Sequence, residues 1–344
     1  MAKYIHLFDT DAEFQAMYND DEKYIEPWAS YTRETESCDY NKKPGPETMP
    51  LRMEFLDDTE IYFFDTDLPY EDVKLSKNGG EWVSATAYTL DEPLSISAGD
   101  TLEWVGDYEC YYDTNGNPRL SINVTEVDGG NEYWLPRVKL SGNIMSLINS
   151  TGFSGVFDFT QPHVFGGYDP FIFGSFSLAD ISELVLPATG LTDYCYVGLF
   201  SRSSWNYADT FTTAPALPAT TLADYCYETM FLNCSSLITT PALPATTLAI
   251  NCYCDMFCGC SSLTTAPELP ATTLAGGCYY EMFRYCSSLN SIACLATDIS
   301  AEECTSYWVD GVSSTGTFTK AASMSSWTTG ESGIPDGWTV VPAQ

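Results

Sequence analysis

A 26-residue period in the second half of the chain constrains the fold more than any other feature. The heptapeptide LPATTLA recurs at Leu217, Leu243 and Leu269, preceded by LPATGLT at Leu186 and followed by a decayed LATDISA at Leu295. The first interval, Leu186 to Leu217, carries an insertion of five residues. Fixed self-similarity means that each unit buries its apolar face only against its neighbours, so the five units of residues 186–311 are expected to stack into a binding or display solenoid.

Within each unit a cysteine stands nine residues after the leading leucine: Cys195, Cys226, Cys252, Cys278 and Cys304. A large apolar pair follows at Leu199-Phe200, Met230-Phe231, Met256-Phe257, Met282-Phe283 and Trp308-Val309, and these positions should face the interior. In ADYCYETMF, Cys226, Met230 and Phe231 fall at i, i+4 and i+5, which predicts one face of a short helix. The following CSSLITTPALP predicts strand and turn. Its prolines lack a donor and belong at strand ends, as at Pro215, Pro218, Pro241, Pro244, Pro267 and Pro270.

The MFxxCSSL segment at Met230, Met256 and Met282 resembles the leucine-rich repeats of the BspA-like bacterial surface proteins, over residues 186–309. The resemblance implies a curved solenoid with a strand face and a helix face, and a role in adhesion and display without catalysis.

Ahead of the repeats, residues 49–140 alternate apolar and polar residues in MEFLDD, IYFFDT, EWVSATAY, TLEWVG and RLSINVTEV. Turn signals separate these runs at Asn78-Gly79-Gly80, Ala98-Gly99-Asp100, Asn115-Gly116 and Asp128-Gly129-Gly130, the pattern of a small antiparallel β-sandwich. Residues 141–185 read as a linker and N-terminal cap. Residues 312–344 break the period and bring Trp327 and Trp338, as a cap over an open apolar end must. The whole chain is thus expected to be α+β.

Residues 1–48 differ again, with YIHLF, EPWASYT and DYNKK ahead of a Pro44-Gly45-Pro46 boundary. This opening is similar to a segment shared by virion-associated proteins of gut Bacteroides phages, and the C-terminal tail resembles theirs too. The resemblance implies docking to other virion proteins, with Tyr4, Phe8, Trp28, Tyr31 and Tyr40 as candidate docking residues.

The net charge of −33, with 30 of the 47 Asp and Glu in residues 1–132, argues against nucleic acid as a partner, because phosphates need clustered Lys and Arg. The start has no apolar run of signal-peptide kind, and no stretch is long and apolar enough to insert in a membrane. Eleven of the 13 cysteines fall between Cys195 and Cys304 and mostly follow the repeat, which makes them small hydrophobes in a reduced chain.

Chemical motifs are sparse. Four thiols in Cys252-x-Cys254-x3-Cys258-x-Cys260 have zinc-like density, but Cys252 and Cys260 hold ordinary repeat positions and only Cys254 and Cys258 are unusual, so no metal is assigned. Asp113-Thr114-Asn115-Gly116-Asn117 begins like a calcium loop, but Pro118 stands where the loop glycine belongs, so it reads as a hairpin turn. The acids Asp9, Asp11, Asp20, Asp21, Asp57, Asp58, Asp65 and Asp67 read as solvated faces. With only His6 and His163, no catalytic set is assigned, and no cofactor is expected.

The tyrosine row Tyr196, Tyr227, Tyr253 and Tyr279 is weighed as interior packing against a sugar-binding surface, with packing favoured. Binding candidates are the hydroxyl strip of Ser235, Ser236, Thr239, Ser261, Ser262, Thr264, Thr265, Ser287 and Ser288, together with Tyr225, Tyr280 and Tyr285. The expected function is a non-enzymatic virion protein, a head or tail fibre or decoration protein, whose repeats attach to a host surface protein or glycan. A homo-oligomer is expected, since fibres are commonly symmetric. An exported bacterial cell-surface adhesin and a surface polysaccharide depolymerase are the alternatives.

Overall fold

The computed structural model describes residues 50–63, 73–105, 123–124, 127–128, 133–144, 176–201, 210–324 and 327–343. The docking candidates Tyr4, Phe8, Trp28, Tyr31 and Tyr40, both histidines, the Asp113 turn and the acids Asp9, Asp11, Asp20, Asp21, Asp65 and Asp67 lie outside the described residues.

The alternation in the N-terminal region produces strands β1 (Leu51–Phe55), β2 (Thr59–Tyr62), β3 (Lys74–Lys77), β4 (Val83–Ser84), β5 (Leu94–Ile96) and β6 (Thr101–Val105). After them come β7 (Asn123–Val124), β8 (Val127–Asp128), β9 (Tyr133–Trp134), β10 (Arg137–Asn143) and β11 (Ser177–Val185). In β1 the side chains of Leu51, Met53 and Phe55 are buried and Arg52 is exposed, as the two-residue period of a strand with one covered face requires. The main sheet runs β11-β10-β1-β6-β3-β4, and a smaller one runs β5-β2-β7.

This corrects the antiparallel sandwich expected from the sequence. β11 comes from the stretch read as a linker and lies parallel to β10, so the sheet is mixed. Its buried side chains, Ser177, Leu178, Ile181 and Leu184, depart from strict alternation, and its pairing with β10 carries register shifts along the same stretch. Phe176, just before it, packs edge-on against Phe55 at 6.0 Å.

An ion pair fixes one end of β10. The Arg137 guanidinium donates to both carboxylate oxygens of Asp57, at 3.0 and 2.8 Å, and its backbone N–H donates to Asp57 Oδ2. These bonds hold the Asp57 carboxyl below the usual carboxylate range. Asp57 is therefore a structural acid.

The α+β reading with a helical repeat face is overturned. Among the described residues there is no α-helix; Ala85–Ala87 form a one-turn 3₁₀ segment. Where a short helix was expected, the chain makes consecutive β-turns. The N–H groups of Cys226, Met230 and Cys234 donate three residues back, to Ala223, Tyr227 and Phe231. The intervening N–H groups of Tyr225, Tyr227, Thr229, Phe231 and Asn233 donate to Ile250, Cys252, Cys254, Met256 and Cys258 of the next repeat. An α-helix would turn every donor back four residues and leave none to join neighbours.

Every fourth residue of each arc has positive φ: Tyr225, Thr229 and Asn233, then Asn251, Asp255 and Gly259, then Gly277, Glu281 and Tyr285, then Glu303, Tyr307 and Gly311. Such residues sit third in their turns, a position that favours Gly and Asn. Glu303 occupies the place held by Gly277 and Asn251, with φ of 52° and an exposed side chain. Glu303→Gly is therefore expected to raise the unfolding free energy by about 1 kcal/mol, because it removes left-handed strain. Urea melts would show no gain if that strain is absent.

Inside the stack two aromatic columns run from repeat to repeat. Tyr196, Tyr227, Tyr253 and Tyr279 are buried with centroids 5.8 to 6.1 Å apart. Phe200, Phe231, Phe257 and Phe283 stack at 5.4 to 5.8 Å. Both columns end on Trp308, which Phe318 and Trp327 cover in turn. The terminal strands β12 (Ser291–Cys294), β13 (Thr317–Lys320) and β14 (Thr339–Pro342) form a parallel sheet. Trp308 and Trp338 donate their indole N–H to the carbonyls of Gly333 and Ser313.

Candidate functional site

Two features of the repeat stack have chemistry to offer, an exposed hydroxyl surface and a buried charged cluster. Ser235, Thr239, Ser262, Thr264, Thr265, Ser287 and Ser288 are exposed, and Ser236 and Ser261 are half-buried. Backbone bridges align Thr213 with Thr239 and Thr265 with Ser291, so 26-residue spacing becomes a lateral row. The turn before each serine pair tightens the same way in each repeat, with the N–H of Ser235, Ser261 and Ser287 donating two residues back.

A second hydroxyl surface was missed by sequence reading. Thr220-Thr221, Thr246-Thr247 and Thr272-Thr273 are all exposed, and Thr273 bridges to Asp298. The signal was present in the repeated ATT of LPATTLA, whose flanking Leu and Ala drew attention to the interior.

The aromatic candidates separate by environment. Tyr196, Tyr227, Tyr253 and Tyr279 are core, and burial, which excludes the charged form, pushes the phenols of Tyr227, Tyr253 and Tyr279 well up. Tyr225 is half-buried and stacks on Tyr194 at 4.8 Å with ring planes 3° apart. Tyr280 and Tyr285 are also half-buried, and the Arg284 guanidinium lies 4.6 Å from the Tyr285 ring centre. Tyr285 therefore belongs with the charged cluster.

That cluster arises because the turn arcs stack in columns. Thr229, Asp255, Glu281 and Tyr307 share one repeat position, and Leu232, Cys258, Arg284 and Asp310 share another three residues on. Arg284 is 8 % exposed; its Nη1 donates to Glu281 Oε2 and its Nε to Asp310 Oδ2, both at 3.0 Å. Burial works against the guanidinium charge, but Glu281 and Asp310 outweigh it and keep Arg284 ionised. Glu281 itself is 2 % exposed, and its other oxygen, Oε1, has no hydrogen-bond partner.

Asp255 faces this pair between two thiols. Cys254 donates to its Oδ2 at 3.3 Å, and Cys258 bonds it from the other side. Burial first, then the negative Glu281, pushes the Asp255 carboxyl up to about 7. One carboxylate oxygen from each of Asp255 and Glu281 and the Cys258 sulfur lie within 4.8 Å of one another. The sequence reading assigned no metal and saw Cys254 and Cys258 only as departures from the repeat; Asp255 lies between them in the same arc, while Glu228 and Glu281 come from the neighbouring repeats.

The eleven described cysteines are all free and buried. Cys234, Cys260 and Cys286 donate to backbone carbonyls of the preceding repeat at 3.0 to 3.3 Å, which occupies their thiols in packing. Burial raises the Cys260 and Cys286 thiols, so they are poor nucleophiles.

Glu228 has a buried Oε2 with no hydrogen-bond partner, and burial first, with the Asp255 charge second, pushes its carboxyl up to about 8. Because the folded value is raised, this group's favourable contribution is full below its ordinary 4.5 and is lost as pH rises through about 8. The thermal midpoint is expected to fall between about pH 5 and pH 8.5, and Glu228→Gln should flatten that fall. An unchanged pH profile in the variant would refute it.

Comparison with protein-family models, with curated proteins and with solved structures gave no match. No helix among the described residues is long and apolar enough to cross a membrane.

Proposed function

We propose that this chain is a non-enzymatic surface protein of a phage virion, a head or tail fibre or decoration protein that attaches to a host surface glycan or protein through its repeats. The observation that carries this reading is the hydroxyl surface of the repeats, where Thr239 and Thr265 are exposed and backbone bridges align Thr213 with Thr239 and Thr265 with Ser291. A row of neutral donors and acceptors on a close-packed support loses little conformational entropy on binding and suits sugar hydroxyls or backbone amides. The similarity of residues 1–48 to virion-associated segments supports the particle assignment.

Cutting the chain at residue 140 would sever β10 and strand β11 apart from it, so the test uses the full-length protein. Full-length chain is expected to bind both purified virions and host cells or capsule glycan. Thr239→Glu with Thr265→Glu should weaken cell binding at least ~10-fold and leave virion binding unchanged. Binding to cells without any to virions would favour the exported adhesin, and release of reducing sugar from capsule would favour a depolymerase.

A further inference from the structure

We infer that Asp255, Cys258 and Glu281 form a binding site for one divalent transition-metal ion of the zinc or cobalt(II) class. This goes beyond the attachment role and does not depend on it.

The donor set is the first argument. One thiol and two carboxylates, drawn from two successive repeats, bring ligand atoms within 4.8 Å of one another. Around a tetrahedral zinc ion such atoms stand roughly 3.5 Å apart, so small side-chain rotations close the site. A sulfur donor selects a borderline metal over calcium or magnesium, which prefer six or more oxygens. The Cys254 thiol lies outside the donor set and donates to Asp255 Oδ2 at 3.3 Å, which orients that carboxylate.

The second argument is independent of that donor count. Glu281 is 2 % exposed, Arg284 occupies only its Oε2, and Oε1 is left without a partner. A buried carboxylate oxygen without a partner is unfavourable unless something satisfies it. Glu228 Oε2 is in the same condition and repels Asp255. Arg284 is shared with Asp310, so its single positive charge cannot balance the acids around it. A divalent cation satisfies Oε1 and offsets the excess negative charge together. Binding replaces the Cys258 S–H bond by a metal–sulfur bond and releases the thiol proton to solvent, with no change of oxidation state.

The repeat arithmetic explains why the site occurs once among the described residues. Only in the third and fourth repeats do acids fill the shared position of Asp255 and Glu281; the second has Thr229 there and the fifth has Tyr307.

The test is titration of full-length, chelator-treated protein with cobalt(II) under a phosphine reductant. We expect one saturable cobalt per chain, with a sulfur-to-cobalt charge-transfer band and the visible spectrum of a tetrahedral ion, both displaced by zinc. Cys258→Ser should abolish the charge-transfer band, and Asp255→Asn should weaken affinity at least ~100-fold. Cys260→Ser, outside the donor set, should keep the band. Circular dichroism of each metal-free variant verifies that it is folded, and zinc should raise the thermal midpoint of the wild type but not of Cys258→Ser. Absence of saturable binding, or a charge-transfer band that survives in folded Cys258→Ser, overturns the site and leaves the cluster as an ion-pair network around Arg284.

Discussion

Phe257→Ala is expected to lower the unfolding free energy of the repeats by about 4 kcal/mol. Phe257 is fully buried between Phe231 and Phe283, at 5.6 and 5.8 Å and nearly parallel to both. Truncation removes the ring's transfer energy and leaves a hole that neither neighbour can fill, since each is held in register by backbone bonds to the adjoining repeats. The position matters as much as the size. In a linear array each unit is stabilised only by its neighbours, so a gap in the third repeat uncouples the fourth and fifth from the first and second. Urea melts should show the lower midpoint together with a broader transition. Phe257→Leu, which keeps most of the volume, should lose less than about 2 kcal/mol. A loss below about 1 kcal/mol in the alanine variant would mean that the aromatic column is not close-packed.

Gly142→Ala is expected to cost about 3 kcal/mol or more and to act on the sheet. Gly142 lies in β10 with φ of 77°, and a Cβ there would stand 1.9 Å from the Pro50 carbonyl oxygen and 3.0 Å from its carbon. The obstacle is backbone, so relief requires β10 to move away from the chain that enters β1. Gly99→Ala provides the comparison: its φ of 90° brings similar strain, but nothing lies within 4 Å of the added atom. The difference between the two variants therefore isolates the steric part. Equal losses would show that Pro50 does not approach Gly142 so closely.

The cysteine and Met-Phe columns were legible from the 26-residue spacing, because equal spacing places equal residues in one column whatever the local conformation. The local conformation was not legible in the same way. Cys226, Met230 and Phe231 fit a helical period of 3.6, yet over nine residues a period of four fits as well. The distinguishing signal was Asn233, Gly259 and Gly311 at one repeat position and Asn251 and Gly277 at another, residues that tolerate left-handed φ. Reading those positions down the columns would have favoured turns over helix.

The sheet shows the same division. Alternation in MEFLDD and TLEWVG indicated strands, and they form. Nothing local to Ser177–Val185 indicates that its partner is β10 or that the pairing is parallel, since a strand's pattern specifies a covered face and not the neighbour along its edge. The metal-capable cluster was half legible. Spacing alone puts Asp255 in line with Glu281 and Cys258 in line with Arg284 and Asp310, but whether those two columns face each other depends on how the turns between them are wound.

From its sequence alone this chain was expected to stack, with Cys and the Met-Phe pairs inward and paired Ser and Thr available outside, because a repeat cannot bury its face except against its own copies. Only the tertiary structure decided that the stack is built of turns, that the tyrosine row lies inside it, that β11, just ahead of the repeats, joins the N-terminal sheet beside β10, and that a thiol, three acids and a guanidinium meet inside the stack. The reason is physical: periodicity specifies which residues are equivalent, whereas the hydrogen-bond partners of alternate backbone donors specify how the chain is wound between them.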